Sequence, residues 1–453
     1  MNVSAEKNAL VLCTLLLYAF GAAFFFYYGL ACMNDPVFGI DFLSFHVAAR
    51  LQAAGNMEAI TNYATTGGMF ADSGPFLEEF HKHFFPESTA ATRWIYFSAY
   101  LWIFRPLAAF DFPLSAKIWL LANAAMTVVI FIFLARSLPV EGLNENAIRL
   151  RNAVLFFLVF TFQPVLDNGW HGQVSALLFL VFCGGYFLFR RRRPFAAGFV
   201  WGLIMPFKFY PALLFFYLLW RKDWKAVSGA MVGGVLVLAV SLATAGVQGN
   251  LDYLAFLAQE LHGAWKPAFN NQSISGFLMH VLTKANIGTW ENVDVPFFLG
   301  PIRLVLIVVA VVSASYAISR PRRSADDQPP FELDLSLIIL IMLLAAPMTW
   351  YHYFVWLLFP LAVLFNILLK GEIPAGKWLS ALGVAYALVT VQGVTVLYPV
   401  HYDLLQNRWF FRLLLSQSAI GAMLLFLVTV KVRLDQVTDR TAVRKKSTSS
   451  GVV

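Results

Sequence analysis

Asp41 stands at the start of a short helical pattern, Phe42, Phe45 and Ala49, directly after the first long apolar run of the chain. A carboxylate there can cap the helix by accepting backbone N–H bonds. It can also take a proton from a hydroxyl lying at the lipid–water boundary. Two cations are placed to meet an anion: Arg50, and Lys208, which sits between Pro206 and Pro211 in an otherwise apolar stretch. His171 and Gln173 follow the polar pair Asp167-Asn168, Asn271-Gln272-Ser273 precede Gly276, and Trp350 and His352 follow Pro347. Each has a plainer structural reading: a headgroup contact for Arg50, a snorkelling Lys208, a turn at Asp167-Asn168, a helix cap at Asn271-Gln272-Ser273, and an aromatic belt at Trp350 and His352.

The set lacks paired carboxylates, a Ser-His-Asp order, a metal-ligand cluster and a glycine-rich nucleotide loop. It therefore calls for no metal and no cofactor. One base with a few cations fits glycosyl transfer from a lipid phosphate. The leaving phosphate needs no general acid, a carboxylate deprotonates the acceptor hydroxyl, and Lys208 and Arg50 stabilise the departing charge.

Those residues are carried by a very apolar chain. Of 453 residues, 59% are hydrophobic and only 13% charged, with mean hydropathy +0.68. Soluble domains average about 25% charged residues, so the expected class is an all-α polytopic membrane protein. The net charge of +8 comes from short basic clusters between apolar runs, which is the positive-inside pattern and excludes a nucleic-acid partner. Cys13, Cys32 and Cys183 lie in or beside apolar runs without metal spacing. The run from Ala9 to Leu30 is too long for a signal-peptide core and reads as a retained anchor.

Full spans are expected at 9–30, 117–136, 152–167, 173–189, 226–246, 301–319, 333–347, 353–369, 377–397 and 410–430. With the N-terminus inside, they place the clusters at Arg190–Arg193, Arg221–Lys225, Arg320–Arg323 and Lys431 onward in the cytoplasm. The polar residues named above then gather on or toward the outer side. The segments 94–110 and 194–220 fit only if each returns to the side it left. In the second, Met205-Pro206-Phe207-Lys208-Phe209-Tyr210-Pro211 predicts two short helices of roughly 18 Å each with Lys208 near the turn. The whole makes about 10–13 transmembrane helices. Loop 31–93, with Phe76, Leu77, Phe80, Phe84 and Phe85 among charged residues, predicts helices lying in the interface. Residues 1–435 read as a single domain and 436–453 as a disordered cytoplasmic tail.

The order of several short motifs resembles the polyprenyl-phosphate-sugar-dependent glycosyltransferases of the GT-C superfold, family 87. They are Asp41-Phe42, Arg105-Pro106-Leu107, His171-Gly172-Gln173-Val174, Ala197-Gly198 followed by Lys208 and Pro211, Asn271-Gln272-Ser273 followed by Gly276, and Trp350 with His352 before Phe359-Pro360. Tyr96-Phe97-Ser98 and Val174-Ser175 depart from the family pattern. The resemblance implies a GT-C-like bundle in the plasma (inner) membrane with its site on the extracytoplasmic face. It implies an inverting single displacement with Asp41 as general base. The donor would be a polyprenyl-phosphate hexose, mannose being the family's example, and the acceptor a glycolipid or glycan hydroxyl. Lys208, Arg50, His352, His171 and Gln173 would meet the donor phosphate or sugar, and Asn271, Gln272 and Trp350 the acceptor or its loops. Membrane lipids are the other partner. The competing reading is a lipid or sugar transporter or flippase, since broken helices with polar tips also serve transport.

Overall fold

The computed structural model describes residues 3–35, 38–62, 70–71, 74–82, 91–208, 210–261, 265–320, 331–391 and 409–449. Among these, seven helices are long and apolar enough to cross a membrane. They are Asn8–Met33, Phe112–Ser137, Glu145–His171, Trp224–Leu261, Leu299–Ser319, Tyr351–Leu369 and Gln417–Asp435. The protein is a multi-pass helical membrane protein.

Among the described residues, the helices at three expected spans are shorter than the roughly 20 residues a crossing needs. Helix Ser175–Arg190 has 16 residues, Phe331–Leu344 has 14, and Ala375–Thr390 has 16. The remainder of the 377–397 reading falls on 392–397, outside the described residues. Two of the long helices are also interrupted. The Glu145–Phe160 helix ends before Gln163–His171, where Pro164 starts a new helix. Gly246 at φ 68° breaks Trp224–Leu261, a conformation that favours glycine.

The chain divides into two compact units. One consists of Phe20–Ser137 and Val159–Ala264, the other of Met1–Ala19, Leu138–Leu158 and Trp265–Val453.

In the first unit, helix Ile40–Ala53 is enclosed by its neighbours. Phe42, Leu43, Phe45, Val47 and Ala48 are buried, and so are Ser44 and His46 on its other faces. Small and apolar residues all round let neighbours close on every side. Phe45 stacks on Phe104 at 4.7 Å, and Phe42 on Trp119 at 5.8 Å. Helix Pro75–His81 buries Phe76, Leu77 and Phe80 against this core. Phe84 and Phe85 lie outside the described residues.

Segment 94–110 forms three short turns, Ser98–Tyr100, Leu101–Phe104 and Arg105–Ala109, and no span. Segment 194–220 breaks as its prolines predict. Helix Pro194–Gly202 ends before Lys208, and Leu213–Trp220 begins after it. Pro194–Gly202 packs backbone to backbone on Trp224–Leu261. A Cβ on Gly198 would lie 1.9 Å from the Ala226 carbonyl oxygen, and one on Gly229 would lie 2.0 Å from that of Phe195. Gly198/Gly202 and Gly229/Gly233 thus form two facing G-x-x-x-G pairs.

The second unit is built around Phe331–Leu344, buried along its length. Its acid Asp334 accepts a hydrogen bond from Arg433 Nε at 3.0 Å, and both side chains are buried. Neither charge would be tolerated there alone. The last helix runs from Gln417 to Ser449. Once a helix is nucleated, each further residue adds a hydrogen bond at little cost.

Candidate active site

The N-terminus of helix Ile40–Ala53 abuts the C-terminus of Gln163–His171. Gly39 caps the former at φ 75° and donates its N–H to the Trp170 carbonyl oxygen at 2.8 Å. Gly172 ends the latter at φ 69°. A Cβ there would sit 2.5 Å from the Phe42 Cβ, so only glycine allows this approach. The Trp119 indole N–H donates to the Gly172 carbonyl oxygen at 2.8 Å.

These contacts bring Asp41 to Gln173. Asp41 is the second residue of its helix, and the cap is Gly39, so the capping reading fails. Instead, Asp41 Oδ2 accepts from Gln173 Nε2 at 2.9 Å. At the other end of the same amide, Lys208 Nζ donates to Gln173 Oε1 at 3.3 Å. Lys208 is buried, and its ammonium lies 5.9 Å from the centre of the Tyr96 ring. Burial pushes the ammonium well below its ordinary value, while the Asp41 charge opposes that shift. Tyr96 and Tyr100 both pack on Phe207, at 4.9 and 4.0 Å, and hold the Lys208 turn. A half-buried carboxylate, a neutral amide and a buried cation therefore stand in line. Such a line can accept a proton at one end and attract an anion at the other.

Residues next to the Lys208 turn line an apolar groove of about 400 Å³. Phe97, Met205, Pro206, Phe215, Gly234 and Leu238 contribute to it. Phe97 follows Tyr96 in the chain, and Pro206 precedes Lys208 by two residues. Phe216 and Leu238 at its edge are exposed at 63% and 45%, as lipid-facing residues would be.

Residues 94–347 match the model of Glycosyltransferase family 87. The chain belongs to glycosyltransferase family 87. The family match takes in Gln173 and Lys208, whereas Asp41 and His352 lie outside it. Two curated relatives carry the name polyprenol-phosphate-mannose-dependent alpha-(1-2)-phosphatidylinositol mannoside mannosyltransferase. The one from Mycobacterium tuberculosis is 24% identical over 69% of this chain and 67% of its own length. The one from Mycolicibacterium smegmatis is 24% identical over 70% of this chain and 69% of its own. No solved structure gives a significant match. This family 87 member is a membrane glycosyltransferase.

The other residues singled out from sequence have hydrogen-bond or ring partners of their own. Arg50 lies roughly 13 Å along the helix from Asp41, and its Nε donates to Glu79 at 2.9 Å. Glu79 also accepts from Lys82 at 2.8 Å. His171 Nδ1 is 3.0 Å from the Asp167 carbonyl oxygen and 3.3 Å from its carboxylate. Asn168 caps the next helix: its Oδ1 accepts from Ser175 and Ala176 N–H, and its amide donates to Asn123 at 2.7 Å.

In the second unit, Asn271 and Gln272 are structural braces. Asn271 Oδ1 accepts from the backbone of Ser273 and Thr349, and its amide donates to the Lys266 carbonyl oxygen. The Gln272 amide donates to Phe269 and Leu415 carbonyl oxygens and accepts from Ala419 N–H. Ser273 caps helix Ile274–Leu282 by accepting from Gly276 N–H. Trp350 forms a backbone bridge with Asn271. His352 is buried beside Tyr353, ring centres 4.8 Å apart.

Trp119 and Asn123 carry the site helix and its neighbour, and sequence reasoning passed over both. A polar Asn123 midway through an apolar span was the available signal.

Proposed function

We propose that this protein transfers a hexose, with mannose the leading candidate, from a polyprenyl-phosphate donor to a hydroxyl of a glycolipid or glycan. The site faces the extracytoplasmic side of the plasma membrane. The names of the two curated relatives support the donor and the glycolipid class of acceptor. The basic clusters between apolar runs support the sidedness.

The observation that carries the reading is the Asp41–Gln173–Lys208 line. Asp41 takes the proton of the acceptor hydroxyl. The acceptor oxygen forms its bond to the anomeric carbon while the bond from that carbon to the phosphate oxygen breaks. The electron pair leaves with the polyprenyl phosphate, whose charge Lys208 meets, and the single displacement inverts the anomeric centre. An arriving phosphate favours the charged lysine that burial disfavours. The apolar groove beside the Lys208 turn seats the first isoprene units of the donor. Arg50 is given no part, because Glu79 already holds its guanidinium.

The test is direct. Purified full-length protein receives a radiolabelled polyprenyl-phosphate mannose and a phosphatidylinositol mannoside acceptor. Label in the acceptor supports the reading. Label that crosses a proteoliposome membrane without a new glycosidic bond overturns it.

A further inference from the structure

The Gln173 side chain stands between two groups of opposite charge in a largely buried place. An ionised carboxylate only accepts hydrogen bonds and an ammonium only donates them. The orientation of the amide between them is therefore fixed, with its nitrogen toward Asp41 and its oxygen toward Lys208. Where the dielectric is low, an acid and an amine this close attract strongly. Direct contact would spend the base and the cation on each other.

Three contacts fix the backbone from which the Gln173 side chain departs. Gln173 N–H donates to the Asn168 carbonyl oxygen at 2.9 Å. The preceding Gly172 accepts from Trp119 at 2.8 Å and presses on Phe42, the neighbour of Asp41. Asp41 Oδ1 receives no hydrogen bond among the described residues. One oxygen of the carboxylate is thus steered by the amide while the other stays open.

We infer that Gln173 is a positioning residue whose amide keeps Asp41 and Lys208 from pairing directly, leaving Oδ1 to an acceptor hydroxyl and the ammonium to a donor phosphate. The inference rests on the roles given above to Asp41 and Lys208. It adds a separation of charges that neither role requires by itself.

Gln173→Met keeps the length of the side chain and removes both hydrogen bonds. Binding of polyprenyl monophosphate to the full-length protein in detergent is then measured, without any turnover. Without the amide, Asp41 captures Lys208, and affinity for the monophosphate falls by about tenfold or more, the scale of a lost hydrogen bond to a charged group. Adding Asp41→Asn in the same background frees the lysine and restores affinity to near the wild-type value. A merely structural Gln173 would give no such rescue. Unchanged binding in Gln173→Met, or no recovery in the double variant, overturns the inference. If Gln173→Met does not fold, Gln173→Asn keeps the amide but is too short to reach both partners, and the same loss and rescue are expected. Transfer retained by Asp41→Asn alone would refute the base assignment and leave this binding test unaffected, so the two failures are distinguishable.

Discussion

A Cβ placed on Gly198 would lie 1.9 Å from the carbonyl oxygen of Ala226, far inside any non-bonded contact. Helix Pro194–Gly202 therefore touches helix Trp224–Leu261 through bare backbone, and the Lys208 turn hangs from that contact. Gly198→Ala is expected to force the two helices apart at a cost of about 1–3 kcal/mol or more. Lowered melting temperature in detergent, with weaker donor binding, checks this. An unchanged melting temperature would mean the helices do not pack so closely.

Asp334 and Arg433 share a buried ion pair at 3.0 Å. Removing one partner strands the other charge, so Asp334→Ala should destabilise by about 3–5 kcal/mol. The double change Asp334→Ala with Arg433→Met should recover most of that loss, because no buried charge remains. Thermal unfolding of the wild type and the two variants measures it. Equal losses for the single and double variants would contradict the pairing.

His280 titrates in the second unit. It is fully buried, with Nδ1 2.9 Å from the Ser416 hydroxyl and Nε2 3.1 Å from the carbonyl oxygens of Pro267 and Ala268. Burial, with the nearby Arg412 charge, lowers its pKa from 6.5 to about 4. The unfolded chain binds this proton first, so the stabilisation is present above pH 6.5 and is lost as pH falls toward 4. The contribution is on the order of 3 kcal/mol. Melting temperature should fall as pH drops from 6.5 toward 4, and His280→Gln should flatten that slope. A slope identical in the variant would assign the effect to other groups.

The groove beside Lys208 offers a test of donor recognition. Gly234 has its nearest neighbouring atom, the Gly202 carbonyl oxygen, 4.0 Å from an added Cβ, so a side chain fits there without backbone clash. Gly234→Phe fills the groove. KM for a long-chain donor should rise by about tenfold, while KM for a water-soluble donor with a short isoprenoid stays near wild type. Equal effects on both donors would place the lipid tail elsewhere.

Much of the site was legible because polar residues stand out in an apolar chain. Asp41, Gln173 and Lys208 come from three separate segments, and all three were marked by type alone. Pro206 and Pro211 likewise announced the break that puts Lys208 at a turn. What sequence could not tell is whether a polar side chain is kept for a ligand or for the backbone. Asn271 and Gln272 look like ligands but satisfy carbonyl and N–H groups of neighbouring segments. Arg50 looked available for a phosphate until Glu79 was brought to it from 29 residues away. The spacing of Phe42, Phe45 and Ala49 suggested one apolar face, yet Ser44, His46 and Ala48 are buried too, because neighbours enclose the helix. Apolar runs placed one span closely, 333–347 against the helix Phe331–Leu344. The glycine pairs Gly198/Gly202 and Gly229/Gly233 were present in the sequence and went unread, since neither shows its partner.

The central claim is that Asp41 is the base. Initial rates of label transfer from polyprenyl-phosphate mannose by Asp41→Asn, against wild type at equal folded protein, test it most directly. The account predicts a rate lower by about a hundredfold to ten-thousandfold, with polyprenyl monophosphate still bound and the melting temperature retained. Transfer at near the wild-type rate would show that another group takes the proton, and the assignment would be wrong.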